Sequence, residues 1–540
     1  MPSTMRFVYS LVLAALAVFY FSGPGAPVAF SQDILTYHHD SSRTGLNSSE
    51  TTLTTANVNS TQFGKLFVVT VDGLVDAQPL YLSQVPIAGQ GTHNLLIVAT
   101  ENDSVYAFDA DVGTQIWHIS ALKSGETPSD DRNCQQVTPT IGITSTPVIS
   151  RPPGTNGVIY AVAMSKDSSG NYHQRLHALD APTGKELYNG PEEIQAQYPG
   201  TGDGSVGGYV IFDPAQYKER AGLLLINGMV LLAWTSHCDI RPYTGWIMGY
   251  NASTLKQTTV LNVTPNGSQG SIWGAGGGLA SDDFGNVYFL DANGIFDTTL
   301  NSKGFPIDGD FGDAIVRLKL KGGLSTADYF EMYNGPEESA DDTDLGSGGI
   351  IVLPEIQDNS SKAWYLAAGA GKDGNIYLVN RASLGGYNSS SNKIYQELTG
   401  ALGGGIFSTP AFYEKRLYYG PVNQPILAFQ FENAKLAATP VAQTTTVFKY
   451  PGATPSISSN GLLNGIVWAS ENSDPAVLHA YSAGSLTELY NTNQAAGGRD
   501  NFGAGNKFIS PMVINGKVYV GTTTGVGVFG LLDDGKAKPK

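Results

Sequence analysis

Cysteine is nearly absent from this chain of 540 residues: Cys134 and Cys238 are the only two. That excludes a disulfide-dense small scaffold, any thiolate zinc cluster and, with no C-x-x-C-H, covalently attached haem. In an oxidising compartment the two are either a disulfide, worth about 4–5 kcal/mol in the chain-entropy model, or two buried thiols. Charge is also sparse, at 14% of residues, and the balance is acidic: 31 basic against 47 acidic, net −16. Phosphate backbones need clustered Lys and Arg, so nucleic acid is excluded as the main partner, and no polybasic membrane patch exists. Neither G-x-S-x-G nor H-E-x-x-H occurs, which removes support for a hydrolase nucleophile elbow or a zincin site. No long stretch carries apolar residues at helical spacing.

One apolar run stands apart. Arg6 precedes Phe7–Phe21, and Ala29-Phe30-Ser31 follows with the small-x-small pattern of signal-peptidase sites. Residues 1–31 therefore read as a secretion signal cut before Gln32, leaving 32–540 as one exported domain, periplasmic or secreted. The run is short for a span and no second one follows, so stable membrane insertion is not expected. The sequons at Asn47, Asn59, Asn251 and Asn262 matter only in a glycosylating cell.

What the chain has in abundance is glycine (65), proline (28) and aromatic residues (10%), a composition of short strands and tight turns. A unit recurs along it. "VYAFDADVGTQIW" (105–117) and "LHALDAPTGKELY" (176–188) are the clearest copies; "NVYFLDANGIFD", "NIYLVNRASLG" and "LHAYSAGSLTELY" are weaker ones. Alternating side chains suit a strand, Asp-x-x-x-Gly suits the turn to an outer strand, and the small mid-strand alanine lets a neighbouring sheet approach. Leads such as "STPVIS", "STPAFY" and "ISPMVI" repeat as well. About eight units at roughly 60-residue spacing predict an all-β, single β-propeller of about eight four-stranded blades. The last unit lacks an outer strand, and "FGKLFVVTV" (63–71) has no unit of its own, so pairing of the N- and C-terminal strands is expected to close the ring.

The unit resembles the repeat of quinoprotein dehydrogenases, the pyrroloquinoline quinone-dependent alcohol dehydrogenase-like superfamily. "SRTGLNSSETTLTTANVNSTQFGKLF" is similar to that family's entry segment, and "GKDGNIYLVNR" to its Lys-Asn-Gly-x-x-Tyr-x-Leu-Asp-Arg stretch. The resemblance implies an exported dehydrogenase oxidising an alcohol or carbohydrate, with pyrroloquinoline quinone and calcium as cofactors and an external electron acceptor. It also implies roles. Asn293 and Asp342 would be metal ligands, Asp344 the catalytic base, Lys372 a contact to the quinone oxygens, and Trp273 the ring's indole neighbour. "SHCDIRPYTGWIMGY" is similar to the family's Glu-x-Gly-x-Arg-Gly-x-x-x-x-Tyr, with Arg241 at the arginine. No glutamate stands there, and Asp239 is the nearest carboxylate available as a ligand. The family's adjacent Cys-Cys pair is absent, and six tryptophans are too few for regular Trp docking between blades.

Each residue has a plainer reading. Asn293-Gly294 suits a left-handed turn, Asp342 and Asp344 suit a solvated acidic loop, and Lys372 suits a surface turn. Asp308, Asp310 and Asp313 lack EF-hand spacing and read as solvated acids in a turn. Two other functions are compatible with the repeat: a non-catalytic propeller scaffold of the cell envelope, and a propeller polysaccharide hydrolase or lyase.

Overall fold

A computed structural model describes residues 32–532; the expected signal segment lies outside them. Among the described residues there is one α-helix, Gly335–Ala340, and no helix long and apolar enough to cross a membrane. Strands gather into eight sheets of four or more strands, with one three-stranded and one two-stranded sheet besides. In chain order the eight span residues 80–120, 127–193, 224–262, 280–330, 351–398, 411–448, 456–491 and 512–531, with Leu46–Asn47 added to the seventh and Phe63–Thr70 to the eighth. The three-stranded sheet lies within 197–211, between the second and third.

The first sheet shows why the repeat folds as it does. Ser104–Asp109 is buried along its whole length, because both of its faces meet neighbouring sheets. The outer strand Gln115–Ser120 is half exposed. At the turn between them Asp109 Oδ1 accepts from the N–H groups of Asp111 and Val112, at 2.8 and 3.1 Å. In the second copy Gly184 has φ +67°, and a Cβ there would lie 2.7 Å from the Trp117 ring. Only glycine satisfies both the turn and the packing.

Successive sheets share apolar cores. Ile97 and Ala107 pack with Ile159 and Leu179, Tyr160 and Leu176 with Val230 and Trp246, and Leu231 with Phe289. The series continues through Tyr288 with Tyr377, Leu378 with Phe429, Tyr418 with Val467, and Trp468 with Val518. Tyr519 and Val528 of the last sheet then pack with Leu80 and Tyr106 of the first. Full burial of each such side chain is worth about 1.5–3 kcal/mol.

Aromatic donors pin these layers at one repeated acceptor, the alanine carbonyl of the turn. Trp117 Nε1 donates to Ala181 O at 2.8 Å, Tyr160 to Ala252 O at 2.5 Å and Tyr418 to Ala483 O at 2.9 Å. Tyr519 of the last sheet donates to Ala110 O of the first at 3.1 Å. The scarcity of tryptophan is thus offset by tyrosine hydroxyls. The expected outer partner is also present: Phe63–Thr70 runs antiparallel to Gly525–Leu531, with Phe63 opposite Leu531.

Candidate functional site

Loops of the second to fifth sheets, with the segments that lead into the sixth and eighth, converge on a cavity. Asp239, Trp273, Asn293, Asp344 and Lys372 all line it, together with Gln136, Arg220, Cys238, Ala275, Ser347, Phe407 and Phe508.

Lys372 is placed by its own turn. Its N–H donates to Asp344 O at 3.0 Å, and a Cβ on Gly371 would sit 2.4 Å from that same oxygen. Glycine before the lysine therefore lets the two loops touch. The ammonium pairs with Asp342 and lies 2.7 Å from Asp344 Oδ1. Lys372 faces the cavity, and Asp373 turns away to accept from the Tyr377 hydroxyl at 2.6 Å.

Asp344 is 2% exposed, which overturns its reading as a solvated loop acid. Burial pushes its carboxyl up to about 6 even though Lys372 pulls the other way. Its loop is anchored from beneath, where Asp313 Oδ1 accepts from the Leu345 N–H at 2.7 Å. Asp310 and Asp313 are likewise buried rather than solvated. Burial drives Asp310 up to about 6 and Asp313 well above the usual carboxylate range.

Asn293 is buried, and its Nδ2 donates to Asp342 Oδ1 at 2.7 Å while its Oδ1 has no partner. Neither Asn293 nor Gly294 has a positive φ, so the left-handed turn reading does not hold. Glycine follows for a different reason: a Cβ on Gly294 would lie 2.5 Å from Gly270 N. The helix Gly335–Ala340 braces this turn, with Ser339 Oγ accepting from the Gly294 N–H at 2.9 Å.

Two expected residues stand elsewhere. Arg241 is 56% exposed and bonded to Asp203 at 2.6 and 2.7 Å, which ties the three-stranded insertion to the Asp239 loop. Asp342 is 65% exposed and reaches the site only through Lys372 and Asn293. Cys238 forms a disulfide with Cys134, settling the choice the sequence left open, and this bond contributes to the cavity wall.

Sequence reasoning missed Arg220, Phe407 and Phe508. The signal available for Arg220 was the run Lys218-Glu219-Arg220, three adjacent charges in a chain poor in charge.

The residues fit an organic cofactor better than a metal. The orphaned Asn293 Oδ1, the Trp273 indole and the Lys372 ammonium offer a planar anionic carbonyl compound an acceptor, a ring face and a cation. For calcium the donors do not converge. Among the described residues no group of three His, Cys, Asp or Glu side chains is arranged to hold a metal. Lys372 pairs with both Asp342 and Asp344, and Asp239 Oδ1 accepts from the Tyr243 hydroxyl at 2.5 Å.

No family model matches the chain, and no curated protein matches it. Solved structures do. The quinohemoprotein alcohol dehydrogenase from Comamonas testosteroni superposes with a TM-score of 0.61 at 14% identity, covering 94% of this chain and 82% of that one. The quinohemoprotein alcohol dehydrogenase ADHIIG from Pseudomonas putida HK5 gives 0.59 at 14% identity, over 94% and 81%. A europium-containing methanol dehydrogenase gives 0.60 at 12% identity, over 92% and 98%. At such identities it is the fold that is shared: this chain has the β-propeller architecture of the quinoprotein alcohol dehydrogenases.

Proposed function

We propose that the protein is an exported pyrroloquinoline quinone-dependent dehydrogenase of alcohols or sugars, and that its eight sheets are the blades of one closed ring. The ring is supported by the Phe63–Thr70 pairing and by the Tyr519 bond from the last sheet to the first. The observation that carries the function is the pair Asp344–Lys372, set in a cavity walled by Trp273 and the Cys134–Cys238 disulfide.

Pyrroloquinoline quinone, when bound, supplies the two-electron acceptor that no side chain can provide. The protein's own groups do the rest. A carboxyl titrating at about 6 is largely ionised at neutral pH yet still basic enough to take a hydroxyl proton, so Asp344 is the general base. Lys372 fixes the orientation of that carboxylate and offers its ammonium to an oxygen that gains negative charge. Trp273 presents a ring face, and Asn293 Oδ1 is a free acceptor. Electrons leave to an external acceptor. No step is assigned to calcium.

A second reading, a cofactor-free binding protein of the cell envelope, is favoured by the failure of the metal donors to converge. Dye reduction separates the two. Protein loaded with pyrroloquinoline quinone, with and without calcium, is assayed against a panel of alcohols and sugars. Turnover that falls at least about a hundredfold in Asp344→Asn supports the dehydrogenase. Loaded protein inert to the whole panel supports the binding protein.

A further inference from the structure

Lys218 and Arg220 are two cations buried close together, and neither is held in an ion pair. Lys218 is 1% exposed and Arg220 is 4% exposed. No ion pair among the described residues includes either side chain, and Arg220 Nη2 has no hydrogen-bond partner. Burial, with the Arg220 charge second, draws the Lys218 ammonium down to about 8.

Glu101 and Asp76 act on Lys218 from a distance, and Glu219 feels Arg220, but none of the three forms an ion pair with either cation. Burial pushes the carboxyl of Glu219, between the two in sequence, well above the usual carboxylate range against the pull of Arg220, and both of its oxygens are unpartnered. Burial and the neighbouring Asp76 push Glu101 up as well, and its Oε2 is committed to the Gly142 N–H at 2.7 Å and the Thr144 hydroxyl at 3.0 Å. A buried unpaired charge is costly, and two together cost more, so an arrangement like this marks a place prepared for an anion.

Aromatic rings hold both cations in place. The Arg220 guanidinium carbon lies 4.4 Å from the Phe508 ring centroid, and Lys218 Nζ lies 5.4 Å from that of Trp273. Both rings line the cavity, as does Arg220 itself. A guanidinium stacked by its face keeps its in-plane N–H donors free, in the fork that matches a carboxylate. Asp239 and Asp344 share the cavity, so a monoanion meets less repulsion there than a phosphate dianion would.

We propose that Arg220, backed by Lys218, is a carboxylate-receiving site, and that the substrate entering beside Asp344 is a hydroxylated acid, such as a sugar acid, rather than a neutral alcohol. The binding stands on the cavity alone; calling the ligand a substrate rests on the dehydrogenase reading.

Calorimetric titration of the full-length protein, without added cofactor, tests this with D-gluconate and D-galacturonate against the neutral D-glucitol and D-galactose. The acids bind at least roughly tenfold more tightly than the neutral sugars, and added salt weakens them. Arg220→Gln lowers gluconate affinity by roughly tenfold or more, and Arg220→Lys recovers part of it, since the charge returns without the fork. If Arg220→Gln does not fold, the contrast between acid and neutral sugar in the wild-type protein decides. Equal binding of acid and neutral sugars, or an unchanged Arg220→Gln, overturns the proposal. A titration with pyrroloquinoline quinone distinguishes the source of the carboxylate. If only its binding depends on Arg220 and gluconate does not bind, the site serves the cofactor and the substrate class is wrong. Gluconate binding to protein that never reduces dye would retain the site and discard the dehydrogenase.

Discussion

Replacing Asp344 by asparagine should stabilise the protein at neutral pH while it abolishes turnover. Asp344 titrates at about 6 against an ordinary 3.8, because burial penalises its ionised form more than Lys372 relieves it. The folded state therefore holds this proton more tightly than the unfolded chain does. The stability that comes with the proton is complete below pH 3.8 and is lost as pH rises through about 6. The offset between those values corresponds to about 3 kcal/mol. Asparagine mimics the protonated acid at every pH, so the variant and the wild type should differ by less than about 1 kcal/mol near pH 4. The gap should then widen and level off at about 3 kcal/mol above roughly pH 7, with the variant the more stable. Urea denaturation of both proteins at stepped pH measures it, with dye reduction run in parallel. A gap that does not change with pH, or a variant less stable near pH 8, would refute the claim that burial sets this carboxyl's properties.

The other predictions concern Lys372, the layer pins and the disulfide. Lys372→Met removes the cation that lowers Asp344, so the acidic limb of the rate profile moves above pH 6. Turnover at neutral pH falls by roughly a hundredfold or more, read from dye reduction. Tyr519→Phe deletes the hydroxyl that reaches Ala110 O and costs about 1 kcal/mol, seen as a lower denaturation midpoint with unchanged slope. Cys134→Ser with Cys238→Ser opens a loop of sequence separation 104 and lowers stability by up to about 4–5 kcal/mol. Reductant should have the same effect on the wild type and none on the variant.

Much of the architecture was legible because each repeat carries its own turn chemistry. Asp109 and Gly113 announce the same turn as Asp180 and Gly184, and the orphan strand at Phe63 could be matched to a last unit that lacked one. The pins were less legible. Tyrosine can pack or donate, and only the position of the Ala110, Ala181, Ala252 and Ala483 carbonyls shows that it donates here. Of the site, Asp239, Trp273, Asn293, Asp344 and Lys372 were named from sequence and come together at one cavity.

The misses share a cause. Burial of a charged side chain depends on the neighbouring sheet, which a local pattern does not contain. Asp310 and Asp313 look like surface turn acids yet lie inside, and Lys218 and Arg220 look like ordinary charges yet are buried, Arg220 in the cavity wall and Lys218 against the Trp273 ring. Arg241 fails in the opposite direction: it holds its motif position, but the three-stranded insertion offers it Asp203, and it leaves the site.

Equilibrium titration with pyrroloquinoline quinone, followed by quenching of tryptophan fluorescence, decides whether the cavity holds this cofactor. Binding is expected to be saturable and one-to-one in the wild type, with a smaller quench in Trp273→Phe and weaker affinity in Lys372→Met. No saturable binding, with calcium or without it, would rule out a pyrroloquinoline quinone site in this cavity.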